Sequence, residues 1–165
     1  VSKLSGDLKQ IAQSTYLGGD GNDAARSLAV SGDYVYIAGV TSSADFPGKT
    51  GGAQDTKGAG EDAFVSKLSG DLKQIAQSTY LGGGGNDAAR SLAVAVNNIY
   101  LTGETSSSDF PGTTGGYQPV LAGGGNDIFV SLLSADLQPA VLKKDTSGFY
   151  VIPNRKGRGA VIFLD

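Results

Sequence analysis

The sequence predicts an all-β fold of repeated four-stranded antiparallel units with no substantial helix, and three observations carry that expectation. Residues 1–54 realign with residues 65–118 at a shift of 64, and internal repetition on this scale marks solenoids, propellers and arrays. Glycine-rich turns close on an acidic residue at Asp23, Asp62, Asp87 and Asp127, and after each comes a strand-like run, a turn and a second strand-like run. No segment keeps apolar residues at helical spacing for the ten or more positions a helix needs.

The 165 residues fit one domain, 1–165, made of repeat units at about 1–64 and 65–129 and a divergent segment 130–165. The 26 glycines lack the every-third-residue period of collagen and so read as turn residues. A net charge of −3 argues against nucleic acid or an anionic membrane as partner, since both need a basic face. Arg155, Lys156 and Arg158, the one basic cluster, read as a solvated loop. No apolar run is long enough to span a bilayer, and no signal peptide is visible. The chain begins at Val1 inside a repeat, without an initiator methionine, which reads as a processed product or a fragment.

Taken in order, residues 1–17 repeat residues 65–81 and open the chain with the third and fourth strands of a unit. Residues 24–30 form a first strand of small residues, and 34–40 a second strand apolar on both alternating faces, as expected of a strand covered on both sides. Residues 63–68 form a mixed third strand, which turns at Ser69-Gly70-Asp71 into the polar fourth, 73–81. The next unit follows with 88–94, a turn near Asn97-Asn98, and 99–105. Polarity rises from first strand to last. A β-propeller blade has this gradient, its inner strand crowded at the axis and its outer strand exposed. Residues 148–153 and 159–164 supply a first and second strand that, joined to the opening pair, would make a composite blade. The total is about three blade equivalents, fewer than a closed propeller uses, so either two or more chains complete one ring, or the chain is part of a longer propeller, or the units stack openly. Closure by a symmetric oligomer is the preferred expectation, since it hides the edge strands.

The residues Asp62-Ala63-Phe64-Val65-Ser66-Lys67-Leu68, then Gln77-Ser78-Thr79-Tyr80-Leu81-Gly82-Gly83, then Ile99-Tyr100-Leu101-Thr102-Gly103, with Ser108-Asp109-Phe110-Pro111 beyond, resemble the bacterial β-propeller repeat abbreviated SBBP. The resemblance covers nearly everything from residue 1 to about 137. It implies propeller blades, a secreted or surface-attached setting in a bacterium, and no catalytic residues. The chain departs from the family pattern at the end of the first strand, where Ser31 and Ala95 replace an acidic residue.

Chemistry has few places to sit. Cysteine, histidine, methionine and tryptophan are absent, which removes disulfides, thiolate or imidazole metal sites and every Ser-His or Cys-His arrangement. Gly18-Gly19-Asp20-Gly21-Asn22-Asp23 and its counterpart at 82–87 match the first six positions of the calcium-binding G-G-x-G-x-D nonapeptide. Asp20, Asp23 and Asp87 are therefore candidate calcium ligands. A structural turn is the competing reading, because Ala25 and Ala89 stand where the nonapeptide needs a large apolar residue and the copies are not in tandem. Asp45-Phe46-Pro47-Gly48 and Asp109-Phe110-Pro111-Gly112 read as tight turns whose phenylalanine plugs the gap between blades. Glu61 and Glu104 are the sole glutamates, and no spacing selects the carboxyl pair a glycosidase requires.

The expectation is a non-catalytic extracellular scaffold or adhesion module with no cofactor, possessing the means to assemble with itself or to bind another surface protein or a glycan. A calcium-dependent binding module is the alternative, and a glycan-processing enzyme a distant third.

Overall fold

The computed structural model describes residues 1–137 and three short strands at 143–144, 150–152 and 160–162. Its described residues are all-β: β1 (Ser2–Leu4), β2 (Ile11–Ser14), β3 (Asp23–Ser31), β4 (Tyr34–Thr41), β5 (Asp62–Ser69), β6 (Ile75–Leu81), β7 (Asp87–Ala95), β8 (Asn98–Thr105), β9 (Asp127–Ser134), β10 (Lys143–Lys144), β11 (Tyr150–Ile152) and β12 (Ala160–Ile162). β3-β4-β5-β6 form a central four-stranded antiparallel sheet, and β7-β8-β9 repeat its first three strands in a second sheet. No closed barrel or ring is formed among these strands.

Among the described residues the two ends do not join into one composite blade: β1 and β2 pair with each other, while β11 and β12 pair in a separate sheet with β10. Arg155, Lys156 and Arg158 lie outside the described residues.

Alternation along the strands makes two cores. Tyr36, Ala38, Ala63 and Val65 face the second sheet and meet Leu92, Ile99, Leu101, Phe129 and Leu133. Val35, Ile37, Phe64 and Leu68 face the other way and enclose Phe46 and Tyr80, with Val1 and Leu17 packed at the margin. β4 is thus covered on both faces, as its unbroken apolar run implies. β5 was expected to be mixed and is instead buried along nearly its whole length. Its polar residues are accommodated individually: Ser66 Oγ bonds Ser78 Oγ at 2.8 Å. Lys67 Nζ donates to the Ala135 carbonyl at 3.0 Å and lies 4.2 Å above the Tyr34 ring.

The small residues of β3 and β7 were read as crowding at an axis. β3 is largely exposed, because only one neighbouring sheet is present to cover it. The two first strands nonetheless lie close, with the Leu92 N–H donating to Ser27 Oγ at 3.1 Å. Both carry a bulge, at Arg26 and Arg90, where the register shifts between Ala25 and Ser27 and between Ala89 and Ser91.

Turn chemistry differs from its sequence reading at two places. The hairpin after β5 takes its left-handed residue at Leu72, φ 59°, one beyond the expected Ser69-Gly70-Asp71 turn, and β6 starts at Ile75 where residue 73 was expected. The turn's own hydrogen bonds set that backbone, Leu72 N–H to the Ser69 carbonyl and Ser69 N–H to the Gln74 carbonyl, since Leu8 in the earlier copy has φ 58° with its side chain exposed. The two-residue turns between β3 and β4 and between β7 and β8 have their positive φ at the first central residue, Gly32 (57°) in one and Val96 (55°) in the other. A β-branched residue is strained there, and the exposed Val96 side chain gains nothing in return. Val96→Gly, which copies Gly32, is expected to stabilise the chain by about 1 kcal/mol in denaturant unfolding.

Candidate functional site

The glycine-acid turns and the Ser-Asp-Phe-Pro segments are two halves of one interlock. Backbone N–H groups of residues 19–22 all point at side-chain oxygens: Gly19 to Asp23 Oδ2 (3.0 Å), Asp20 to Asp45 Oδ1 (2.9 Å), Gly21 to Ser43 Oγ (2.9 Å) and Asn22 to Ser42 Oγ (2.7 Å). Sixty-four residues later, Gly83, Gly84, Gly85 and Asn86 donate to Asp87 Oδ2, Asp109 Oδ1, Ser107 Oγ and Ser106 Oγ at 2.7–2.9 Å. Ser43 Oγ in turn donates to Asp23, and Ser107 Oγ to Asp87 Oδ2 at 2.7 Å. Glycine is needed here because a Cβ on Gly19 or Gly83 would strike the Asp45 or Asp109 carboxylate and the Ser43 or Ser107 Cβ. The turn is a cradle of donors, and its carboxylates are acceptors that hold it shut.

Among the calcium candidates, Asp20 and Asp23 share one turn and Asp87 belongs to the other. Asp20 is exposed beside Asp45: its carboxyl is pushed up by the hydrogen bond and repulsion between the two side chains, while Asp45 is held down by the Asp20 N–H it accepts. Asp23 uses both oxygens on Ser43 Oγ.

Asp87 is instead brought to Asp62, a residue that sequence reading left out of the candidate set. The Asp87 N–H donates to the Glu61 carbonyl at 2.7 Å and the Glu61 N–H to Asn86 Oδ1 at 3.0 Å, which ties the two acidic turns together. Asp62 is 0% and Asp87 1% exposed. Asp62 Oδ2 accepts from the Gly58 N–H at 2.8 Å and from Gln54 Nε2 at 3.4 Å. Gln54 also bridges to Gly82, accepting from its N–H and donating to its carbonyl. The Oδ1 atoms of Asp62 and Asp87 are both buried without a hydrogen-bond partner. The recurrence of an acid after every glycine turn was the signal that could have added Asp62. What sequence could not supply was that turns from different repeats touch.

No group of three or more acidic side chains converges among the described residues. Glu104 is engaged by Arg90 at 3.2 Å across β7 and β8. Phe46 and Phe110 do enter the cores, each against its sheet's phenylalanine, Phe64 at 4.6 Å and Phe129 at 4.5 Å. Tyr80 O–H donates to the Ser43 carbonyl at 2.8 Å and accepts from the Phe46 N–H at 3.1 Å, which fastens the proline turn to β6.

Burial pushes the Asp62 carboxyl up to about 6 from an ordinary 3.8, with repulsion from Asp87 adding to the shift and Lys57 and the Gly58 N–H opposing it. A raised native value means that Asp62 favours folding fully below pH about 4 and loses that contribution as pH rises through 6. In chelator-treated protein, unfolding free energy is expected to fall by about 2 kcal/mol between pH 4 and 7 relative to Asp62→Asn, measured by urea titration at each pH.

A scan against protein-family models finds none that matches the chain, and a search of curated proteins finds no match either. No described helix is long and apolar enough to cross a membrane.

Proposed function

We propose that this chain is a non-catalytic β-propeller scaffold of the SBBP-repeat kind, secreted or surface-attached, whose sheets are blades and whose two unfinished ends join copies of the chain head to tail. One observation carries the reading: among the described residues, equivalent positions are buried where the two larger sheets meet and exposed on the sheets' outer faces. Val65 is 0% exposed against the second sheet, and its equivalent Val130 is 76% exposed. Tyr36 is likewise buried and its equivalent Tyr100 is open. At the opposite end, Leu28 and Val30 lie exposed, whereas their equivalents Leu92 and Val94 pack against the central sheet.

The face formed by Tyr100, Ile128, Val130 and Leu132 therefore corresponds to the face of the central sheet that already receives a sheet with Leu92 and Val94 at its contact. The matching surface, bearing Leu28 and Val30, is present on every copy. Such a contact is heterologous, and it propagates to a ring if the rotation closes and to a fibre if it does not. Exposed apolar sheet of this extent is the usual mark of an interface. Val130→Lys puts an ammonium in the centre of that face and is expected to leave the far-ultraviolet spectrum unchanged while reducing the sedimenting species to monomer.

The departure from an enzyme reading rests on the disposition of the acids. Asp23, Asp87 and Asp109 are occupied by turn N–H groups, and the two glutamates stand on turns or in an ion pair. A scaffold that repeats one surface gains avidity from each added copy, without any change in the individual contact.

A further inference from the structure

We propose that Asp62 and Asp87, with the Gly83 carbonyl beside them, form a site for a hard divalent cation, calcium foremost, at the junction of the two sheets. This stands apart from the assembly reading, since both residues lie within one chain. Two carboxylates excluded from water need a counter-charge. Lys57 supplies only part of it, since its Nζ donates to the carbonyls of Gly58 and Gly60, at 2.9 and 2.5 Å.

The two carboxylates stand side by side. A Cβ on Gly82 would stand 2.8 Å from Asp62 Oδ1 and 2.8 Å from Asp87 Oδ2, so both carboxylates flank one glycine. A Cβ on Gly58 would overlap the Gly83 carbonyl oxygen and lie 3.2 Å from Asp62 Oδ1, so that carbonyl, which accepts the Ala59 N–H at 3.1 Å, stands near Asp62. Donors occupy the Oδ2 atoms, whereas Asp62 Oδ1 and Asp87 Oδ1 are unpartnered. Oxygen donors alone, with no histidine or cysteine anywhere in the chain, select calcium or magnesium over zinc. Calcium is favoured because its coordination is flexible, whereas magnesium demands near-ideal octahedral geometry and gives up its water reluctantly.

The arrangement needs two adjoining sheets. Asp127, the equivalent acid of the second sheet, is half-buried, with its Oδ2 taken by the Ala122 N–H and Gln118 Nε2. Asp23, which opens the central sheet, has Asp20 of its own turn near it and gives both oxygens to Ser43 Oγ. The junction of β5 with β7 is where an acid from each sheet meets the other.

The test is thermal melting by circular dichroism at pH 7.5, after chelator treatment and again in 10 mM calcium chloride, on wild type, Asp62→Asn, Asp87→Asn and Asp20→Asn, with a calorimetric titration of calcium into each. Wild type and Asp20→Asn are expected to melt about 3–5 °C higher in calcium and to bind one ion per chain. Asp62→Asn and Asp87→Asn are expected to keep the wild-type spectrum and lose both responses. Asp62→Asn should also melt above chelated wild type, a readout that separates loss of a ligand from loss of the fold. The proposal is overturned if calcium leaves wild type unchanged, if the response survives in Asp62→Asn, or if it vanishes in Asp20→Asn instead, which would move the ion to the exposed turn. A pH-dependent melt with no metal response would mean that the pair is held by a shared proton, and would overturn it equally.

Discussion

Gly39→Ala is expected to cost about 3 kcal/mol or more, a fall in melting temperature of roughly 10 °C. Gly39 pairs with Ala25 at the bulge of β3, where the extra residue Arg26 throws the Ala24 carbonyl toward β4. A methyl group on Gly39 would overlap that carbonyl oxygen and come within 2.9 Å of its carbon and 3.0 Å of the Ala25 Cα. All three obstacles are backbone, so relief requires the β3–β4 pairing to open. Gly103 stands in the same relation to Ala88. Gly6→Ala, at a position with nothing within 4 Å, is the control and should be neutral. A melt within about 2 °C of wild type for Gly39→Ala would show that the bulge is misplaced.

Phe46→Ala carries the second large effect, about 3–5 kcal/mol by denaturant unfolding. The ring is 2% exposed, 4.6 Å from Phe64 and 6.3 Å from Tyr80, and its loss opens a cavity that β4 and β5 cannot close while paired on both sides. Phe46→Leu should recover most of the loss, since volume and apolar character are largely kept. The same core makes a contrast between repeats. Tyr80→Ala removes a buried ring and two hydrogen bonds, whereas its equivalent Tyr16 is 102% exposed and its replacement should be nearly neutral.

Much of the architecture was legible because each strand announced itself twice. The shift of 64 placed β3, β4, β7 and β8 within a residue or two of their positions, and Pro47-Gly48 marked a turn that does carry a positive φ, 75°, at the glycine. What failed did so for physical reasons. The turn read at Ser69-Gly70-Asp71 runs on to Leu72, whose left-handed backbone is shared by the exposed Leu8 of the earlier copy and so follows from the turn's hydrogen bonds, which the residue types alone do not display. The two chain ends looked complementary as strands, yet β1–β2 and β10–β12 close on themselves, since pairing between near neighbours in sequence costs less chain entropy than joining the termini.

The candidate site was half legible. Asp87 stood out through its glycine turn, but the motif suggested a self-contained loop and so directed attention to Asp20 and Asp23. The donors of that loop are spent on Ser42, Ser43 and Asp45, which a tandem β-roll would not have. Asp62 escaped notice because its turn is a looser copy. Its significance lies in burial and in an unpartnered oxygen, and neither property is visible until two sheets are placed face to face.

Light scattering of the wild-type chain over a hundredfold range of concentration tests the central claim that unfinished faces at the two ends complete one another. The account predicts a mass at an integral multiple of 16.7 kDa that persists at micromolar concentration and collapses to one chain in Val130→Lys. A wild-type chain that stays at 16.7 kDa across the whole range would contradict it.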